Sequence, residues 1–231
     1  MSPSQTRTLM KRATEVVKEI SQALRAVDEQ LRHHPYPEAL ERGEVPVNAL
    51  RAFPGTQYHV ATSDLRSMGM MVQRFGHTPA RGFLNGILQG EIAALEGLRV
   101  MARRLGMTQE DLERYEVTPE GFAYATNMAW MAANVSVAEL MVGILVNFPA
   151  WGHTCGRMSR ALRARYGFTE QETVFLDAFA NMPPIEDTAL PIIQEGLDQG
   201  VEPRLLHRAA RFFQAYEKMF WDAMMAAARS P

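Results

Sequence analysis

The sequence predicts an all-α protein folded as one helical domain. Apolar residues recur at three- and four-residue steps along most of its length, which places them on single helix faces. Threonine, serine, glycine and proline supply start and stop signals at intervals suited to helices. Nowhere does apolar/polar alternation persist between hairpin turns, so no strand is expected. The 231 residues, 47% hydrophobic and 22% charged, suffice for one full core, and no internal repeat or low-complexity segment divides them. Residues 1–231 read as a single domain, with 1–7 as a loose N-terminal tail.

The first helix is expected over residues 9–31, where Leu9, Ala13, Val16, Val17, Ile20, Leu24, Val27 and Leu31 form one stripe, and His34-Pro35 ends it. A short helix follows over 38–42. Gly43-Glu44-Val45-Pro46 turns the chain into a long helix reaching Phe75, which Pro54-Gly55 is expected to kink or interrupt. After Gly76-His77-Thr78-Pro79 a helix runs to Leu105 and stops at Gly106; Thr108, with Asp111 three residues on, marks the next start. Thr118-Pro119 opens another helix, and Ser136 caps the one after it. Pro149 is expected to bend or split that helix, whose remainder, 151–166, closes at Gly167. Thr169 with Glu172 forms a capping box for a helix that Pro183-Pro184 ends, and helices over 185–197 and 203–227 complete the chain.

Composition excludes several function classes. Lys+Arg is 24 against Asp+Glu 26, a net charge of -2, so there is no basic field for nucleic acid or an anionic membrane. Arg157, Arg160, Arg163 and Arg165 cover a broad part of a helix circumference and read as a solvated face. No apolar run approaches the roughly 20 residues that cross a bilayer, and no apolar segment follows the basic N-terminus as a signal peptide requires. The single cysteine, Cys155, excludes an internal disulfide and fits a reducing cytoplasm, the expected location. There is no phosphate-binding glycine loop, no zinc motif and no Gly-x-Ser-x-Gly elbow, so neither a metal nor a cofactor is expected. The 15 methionines are spread along the helices as core fillers.

The chemistry is carried by polar residues on apolar faces. In the last helix Phe213, Glu217, Phe220 and Trp221 share one face, so a carboxylate stands inside an aromatic stripe. Desolvation there raises its pKa toward neutrality, which suits a group that moves protons; the alternative is a glutamate that snorkels to water or pairs with an arginine. Glu91 shares its face with Leu88, Ile92, Leu95 and Leu98. Tyr124 and Asn127 lie one turn apart on a face continuing through Met128 and Met131, and Asn147 sits on the stripe Leu140, Gly143, Ile144. Thr56-Gln57-Tyr58-His59 follows the Pro54-Gly55 break, and His153 lies across the Pro149 bend from Asn147. Polar groups from several helices that face one interior are how bundles build ligand sites.

On these residues the chain resembles the TenA (thiaminase II) and pyrroloquinoline-quinone synthase superfamily, over residues 33–225. Tyr216-Glu217-x-x-Phe220-Trp221 is similar to the segment that holds the TenA catalytic glutamate. His34-Pro35-Tyr36, Gly43-Glu44-Val45-Pro46, the Gln57-Tyr58 helix and the segment from Leu105 to Leu112 are similar as well. The resemblance implies a heme-oxygenase-like helical bundle, a homodimer or homotetramer, a catalytic Glu217 and a pocket-lining Tyr124. It also implies departures. Where the family places its nucleophilic cysteine this chain has Asn147 or, in a shifted register, Ala150; the pocket aspartate falls on Tyr58. Positions matching the diiron branch read Glu91, Leu98, Asn147, Phe179, Pro183 and Glu186, a set that cannot hold two irons. The cofactor-free quinone synthase has a segment similar to Phe148-Pro149-Ala150-Trp151-Gly152-His153, which gives His153 a base role.

Three functions follow. The first is a TenA-like C–N hydrolase acting, without cysteine or metal, on a planar nitrogen heteroaromatic such as an aminopyrimidine. Glu217 is its general acid/base, and Tyr124, Asn147, Gln57, Tyr58, His59, Glu91, Asn127, Trp151, Phe213 and Phe220 surround the small molecule. The second is a cofactor-free oxidase or cyclase in which His153 and Glu217 move protons. The third is a binding protein without catalysis.

Overall fold

The computed structural model describes residues 3–230, with side chains from Arg12 onward. The structure is 84% helical, with no strand among the described residues. In order the elements are α1 (Pro3–Arg32), α2 (Pro35–Arg42), a 3-10 turn (Val47–Arg51), α3 (Ala52–Phe75), α4 (Arg81–Arg104) and α5 (Gln109–Glu113). Then come α6 (Pro119–Asn134), α7 (Val137–Tyr166), a second 3-10 turn (Gln171–Thr173), α8 (Val174–Ala180), α9 (Glu186–Asp198) and α10 (Pro203–Arg229). The tail expected over 1–7 begins outside the described residues, and α1 takes up the chain from Pro3. No described helix is long and apolar enough to cross a membrane.

Local chemistry explains the boundaries, including those that differ from expectation. The His34 ring caps α2, its Nδ1 accepting the Tyr36 N–H at 3.2 Å while Nε2 faces Asp222 Oδ1 at 3.1 Å. Helix α2 therefore begins at Pro35 rather than at 38, because proline at the first helical position has no N–H to satisfy. Gly43, in the left-handed region at φ 73°, closes it. Pro54 does not break α3: the 3-10 turn hands over at Ala52, so Pro54 lies in the first turn, where backbone N–H groups lack intrahelical acceptors anyway. Pro149 also lies within one unbroken helix, α7, which gives up a single ladder bond instead of splitting. Thr108 with Asp111, and Ser136 with Glu139, form reciprocal capping boxes. Thr169 and Glu172 bond reciprocally too, but they open the second 3-10 turn, and α8 starts after it.

Helix α10 packs against α6 and α7, α3 against α4 and α6, and α7 also against α1, α2, α8 and α9. The core divides into two main apolar clusters. One joins α1, α6, α9 and the first halves of α7 and α10, with Ile144 and Phe213 among its members. The other joins α2, α8, the start of α3 and the second halves of α7 and α10, with Ala150, Phe220 and Trp221. They meet where Asn147 and Glu217, both buried, interrupt the stripes of α7 and α10 at one level. Gly143 sets that level. A Cβ there would stand 2.3 Å from the Phe213 ring, so only glycine lets the two helices approach this closely. Asn147 is one turn beyond Gly143 and Glu217 one turn beyond Phe213, and the same approach brings the two polar side chains together.

Candidate active site

Between the two clusters lies a cavity of about 50 Å³, room for a few waters at about 10–15 Å³ each. Helix α3 contributes Gln57, Val60 and Asp64, α4 contributes Glu91, and α6 contributes Tyr124. Asn147, Phe148 and Trp151 come from α7, Phe175 and Phe179 from α8, and Glu217 and Phe220 from α10.

Glu217 is 1% exposed. Its Oε1 accepts the Trp221 indole N–H at 2.9 Å, and its Oε2 accepts from the Asn147 side-chain amide. Trp221 is held in place by rings: Phe53 and Tyr36 stack on it at centroid distances of 6.1 and 6.2 Å, and Trp151 tilts against it at 5.0 Å. Burial raises the Glu217 carboxyl pKa to about 7, outweighing the two hydrogen bonds that pull it down. A group so poised can take and return a proton near neutrality.

Asp64 is a second buried carboxylate, and sequence reasoning missed it. Its Oδ1 is buried without a hydrogen-bond partner. Burial raises its pKa, and the charge of Glu91 across the cavity adds to the effect; burial raises Glu91 too. The Tyr124 phenol is kept protonated by burial and then by the negative charges of Asp64, Glu217 and Glu91. Among the described residues no lysine, arginine or histidine lines the cavity. Three carboxyl groups without a cation make a site for a positively charged or N–H-rich ligand, because a ligand cation satisfies both charge and lone pairs.

The remaining expected residues lie outside the lining. The Tyr58 hydroxyl turns away to accept from Gln109 Nε2 at 2.8 Å, since it is one residue round the helix from Gln57. His59, a further step round, packs edge-on against Tyr58, its Nε2 buried without a partner. Asn127 is spent within α6, where its amide meets Met131 Sδ at 3.5 Å. Phe213 stands behind Tyr124, edge-on at 5.7 Å, and wedges against Gly143. His153 is exposed and opens onto a separate cleft with Glu186. Because α7 continues through Pro149, Trp151 follows Asn147 by one turn onto the cavity face, and His153 is carried past it. Cys155 is fully buried away from the lining, and desolvation raises its thiol pKa.

Among the described residues no three His, Cys, Asp or Glu side chains are placed to hold a metal ion. Of the positions matching the diiron branch, Leu98 and Phe179 have no donor atom and Glu186 faces the other cleft. The residues present do not fit such a centre.

Fold and site define an all-α bundle of the heme-oxygenase-like class with an acid-lined aromatic cavity. Similar solved structures include a TenA homolog from Pseudomonas syringae pv. tomato, at 16% identity and TM-score 0.75, covering 90% of this chain and 92% of that one. The TenA homologue protein from P. horikoshii aligns at 14% identity and TM-score 0.71, covering 92% and 99%. A Shewanella denitrificans domain of unknown function with a heme oxygenase-like fold aligns at 11% and 0.71, covering 90% and 91%. At these identities the likeness shows the fold. No curated protein matches the chain. Residues 21–227 match the TENA/THI-4/PQQC family, and the chain belongs to it.

Proposed function

We propose that this protein is a TenA-like enzyme that breaks a C–N bond in a planar nitrogen heteroaromatic held in the acid-lined cavity. The observation that carries this reading is Glu217: a buried carboxyl in the cavity lining, bonded by Trp221 and Asn147, with a pKa of about 7. As carboxylate it takes a proton from water, whose oxygen bonds to the substrate carbon. As acid it then gives that proton to the leaving nitrogen as the C–N bond breaks, so one water is consumed and the carboxylate returns. Water is the nucleophile in this reading because no thiol lines the cavity. Asp64 and Glu91 hold the amino or protonated ring nitrogen, Tyr124 donates a hydrogen bond, and Phe148, Trp151, Phe175 and Phe220 enclose the ring.

The oxidase reading is weakened by the exposed position of His153 in another cleft. Screening aminopyrimidines that carry an amine leaving group, with release of the amine as readout, tests the proposal. Glu217→Gln is expected to lower turnover by roughly 100- to 10,000-fold while ligand binding changes far less. Near-normal turnover in that variant ends the mechanism, and binding without any turnover in the wild type moves the protein to the class of ligand-binding proteins.

A further inference from the structure

Four residues of the cavity wall, Glu91, Phe148, Phe175 and Phe179, also face a surface groove of about 480 Å³ between α4 and α8. Among the described residues Glu91 is the only charged one lining that groove. Its floor runs over Gly86 and Gly90 of α4, and its rim carries the apolar side chains Val174 and Met182, 47% and 37% exposed. The two glycines are not demanded by packing: a Cβ at either would meet nothing within 4 Å. They leave open a trough that a side chain would fill. Glu91 lines both spaces, and the cavity wall also holds Asp64, whose buried Oδ1 has no partner. The cleft of His153 also borders the cavity, but it shares only Phe148 and Phe179 with it and no carboxylate.

We propose that the heteroaromatic substrate is an amphiphilic amine, its amino or protonated ring nitrogen held by Asp64 and Glu91 in the cavity and an apolar tail lying along the groove between α4 and α8. The proposal rests on the reading of the cavity as the substrate site and names the class of molecule that fills it. Adjacency carries it, since the same four residues line both the cavity and the groove. Charge supports it as well. An amine head meets two carboxyl groups, whereas an acid head would meet like charge with no cation among the described lining residues to offset it.

Calorimetric titration of the whole chain with benzylamine, para-butylbenzylamine and para-butylbenzyl alcohol is the test. Each methylene buried in the groove is expected to tighten binding about fourfold, so the butyl compound, with about four more carbons, is expected to bind roughly 250-fold more tightly than benzylamine. The neutral alcohol is expected to bind at least about tenfold more weakly than the butyl amine, because it leaves both carboxyl groups without a cation. Gly90→Leu, at a position where a Cβ meets nothing within 4 Å, is expected to fill the trough and remove most of the gain from the tail. Gly82→Leu, on the same helix but outside the groove and equally free of contacts, retains it. Melting curves check that both variants are folded.

Affinity that is flat with chain length, a tail gain that survives Gly90→Leu in the folded protein, or an alcohol that binds as well as the amine overturns the proposal. Benzylamine binding without dependence on the tail removes the groove alone and leaves the cavity reading in place. Failure of every amine to bind removes both.

Discussion

Replacing Glu217 by glutamine is expected to stabilise the protein at alkaline pH while it removes the proton carrier. The carboxyl pKa rises from its ordinary 4.5 to about 7 on folding. Below 4.5 both folded and unfolded chains hold the proton, and whatever stability the protonated group confers is fully present. As pH rises through 4.5 the unfolded chain releases its proton and the native chain keeps it until about 7, so the unfolded state binds fewer protons and stability falls. Over that interval the wild type loses about 3 kcal/mol from this group, at about 1.4 kcal/mol per pH unit. Glutamine does not titrate and loses nothing. Its amide fits the same place if the Asn147 amide turns over to accept from it, while Trp221 keeps its acceptor. Urea unfolding of both proteins at about pH 5, 6, 7 and 8 gives the stability difference, in which the other carboxyl groups largely cancel. The difference is expected to move in favour of Glu217→Gln by about 3 kcal/mol across the series. A difference flat to within about 1 kcal/mol, or one that moves the other way, refutes the claim that burial dominates the carboxyl's environment.

Other perturbations test the surroundings of that group. Gly143→Ala places a methyl into the Phe213 ring; thermal melting is expected to show a loss of about 1–3 kcal/mol, with turnover falling as Asn147 moves from Glu217. Asp64→Asn removes a buried carboxyl that has an unpartnered oxygen, so stability at about pH 8 is expected to rise, and titration is expected to show amine affinity falling by about tenfold or more. Cys155→Ala is expected to cost about 1–2 kcal/mol as a small packing defect and to leave turnover within about tenfold of wild type. His153→Gln, a change in another cleft, is expected to leave the pH profile of turnover unaltered.

Much of the bundle was legible because caps and stripes are local. Thr108, Thr118, Ser136, Gly43 and Gly167 each act within one turn of their own position, and the structure has a helix end at each. The prolines were harder to read. A proline's effect depends on its place in the helix, and Pro54 turned out to sit in a first turn fed by a 3-10 segment that no pattern announced. Glu217 was legible because its aromatic neighbours lie at i−4, i+3 and i+4. Asp64 carries the same kind of signal, with Val60, Ala61, Met68 and Met71 buried around it on α3, yet the more conspicuous Thr56-Gln57-Tyr58-His59 tract drew the assignment, and of that tract only Gln57 lines the cavity. The rings of Phe175 and Phe179 could not be found from sequence, since only the packing of α8 against α7 and α4 brings them to the cavity.

The indole of Trp221 has a consequence beyond orienting a carboxylate. Of the three tryptophans, Trp130 lies at the surface, 41% exposed, while Trp151 and Trp221 stand 5.0 Å apart beside the cavity. Two indoles at that separation couple their electronic transitions. The N–H of one is bonded to the group whose protonation changes near neutrality. Near-ultraviolet dichroism and intrinsic emission are therefore expected to follow the charge on Glu217, over a background from the surface indole that solvent quenchers reduce, which would give an optical gauge of that proton without label or substrate.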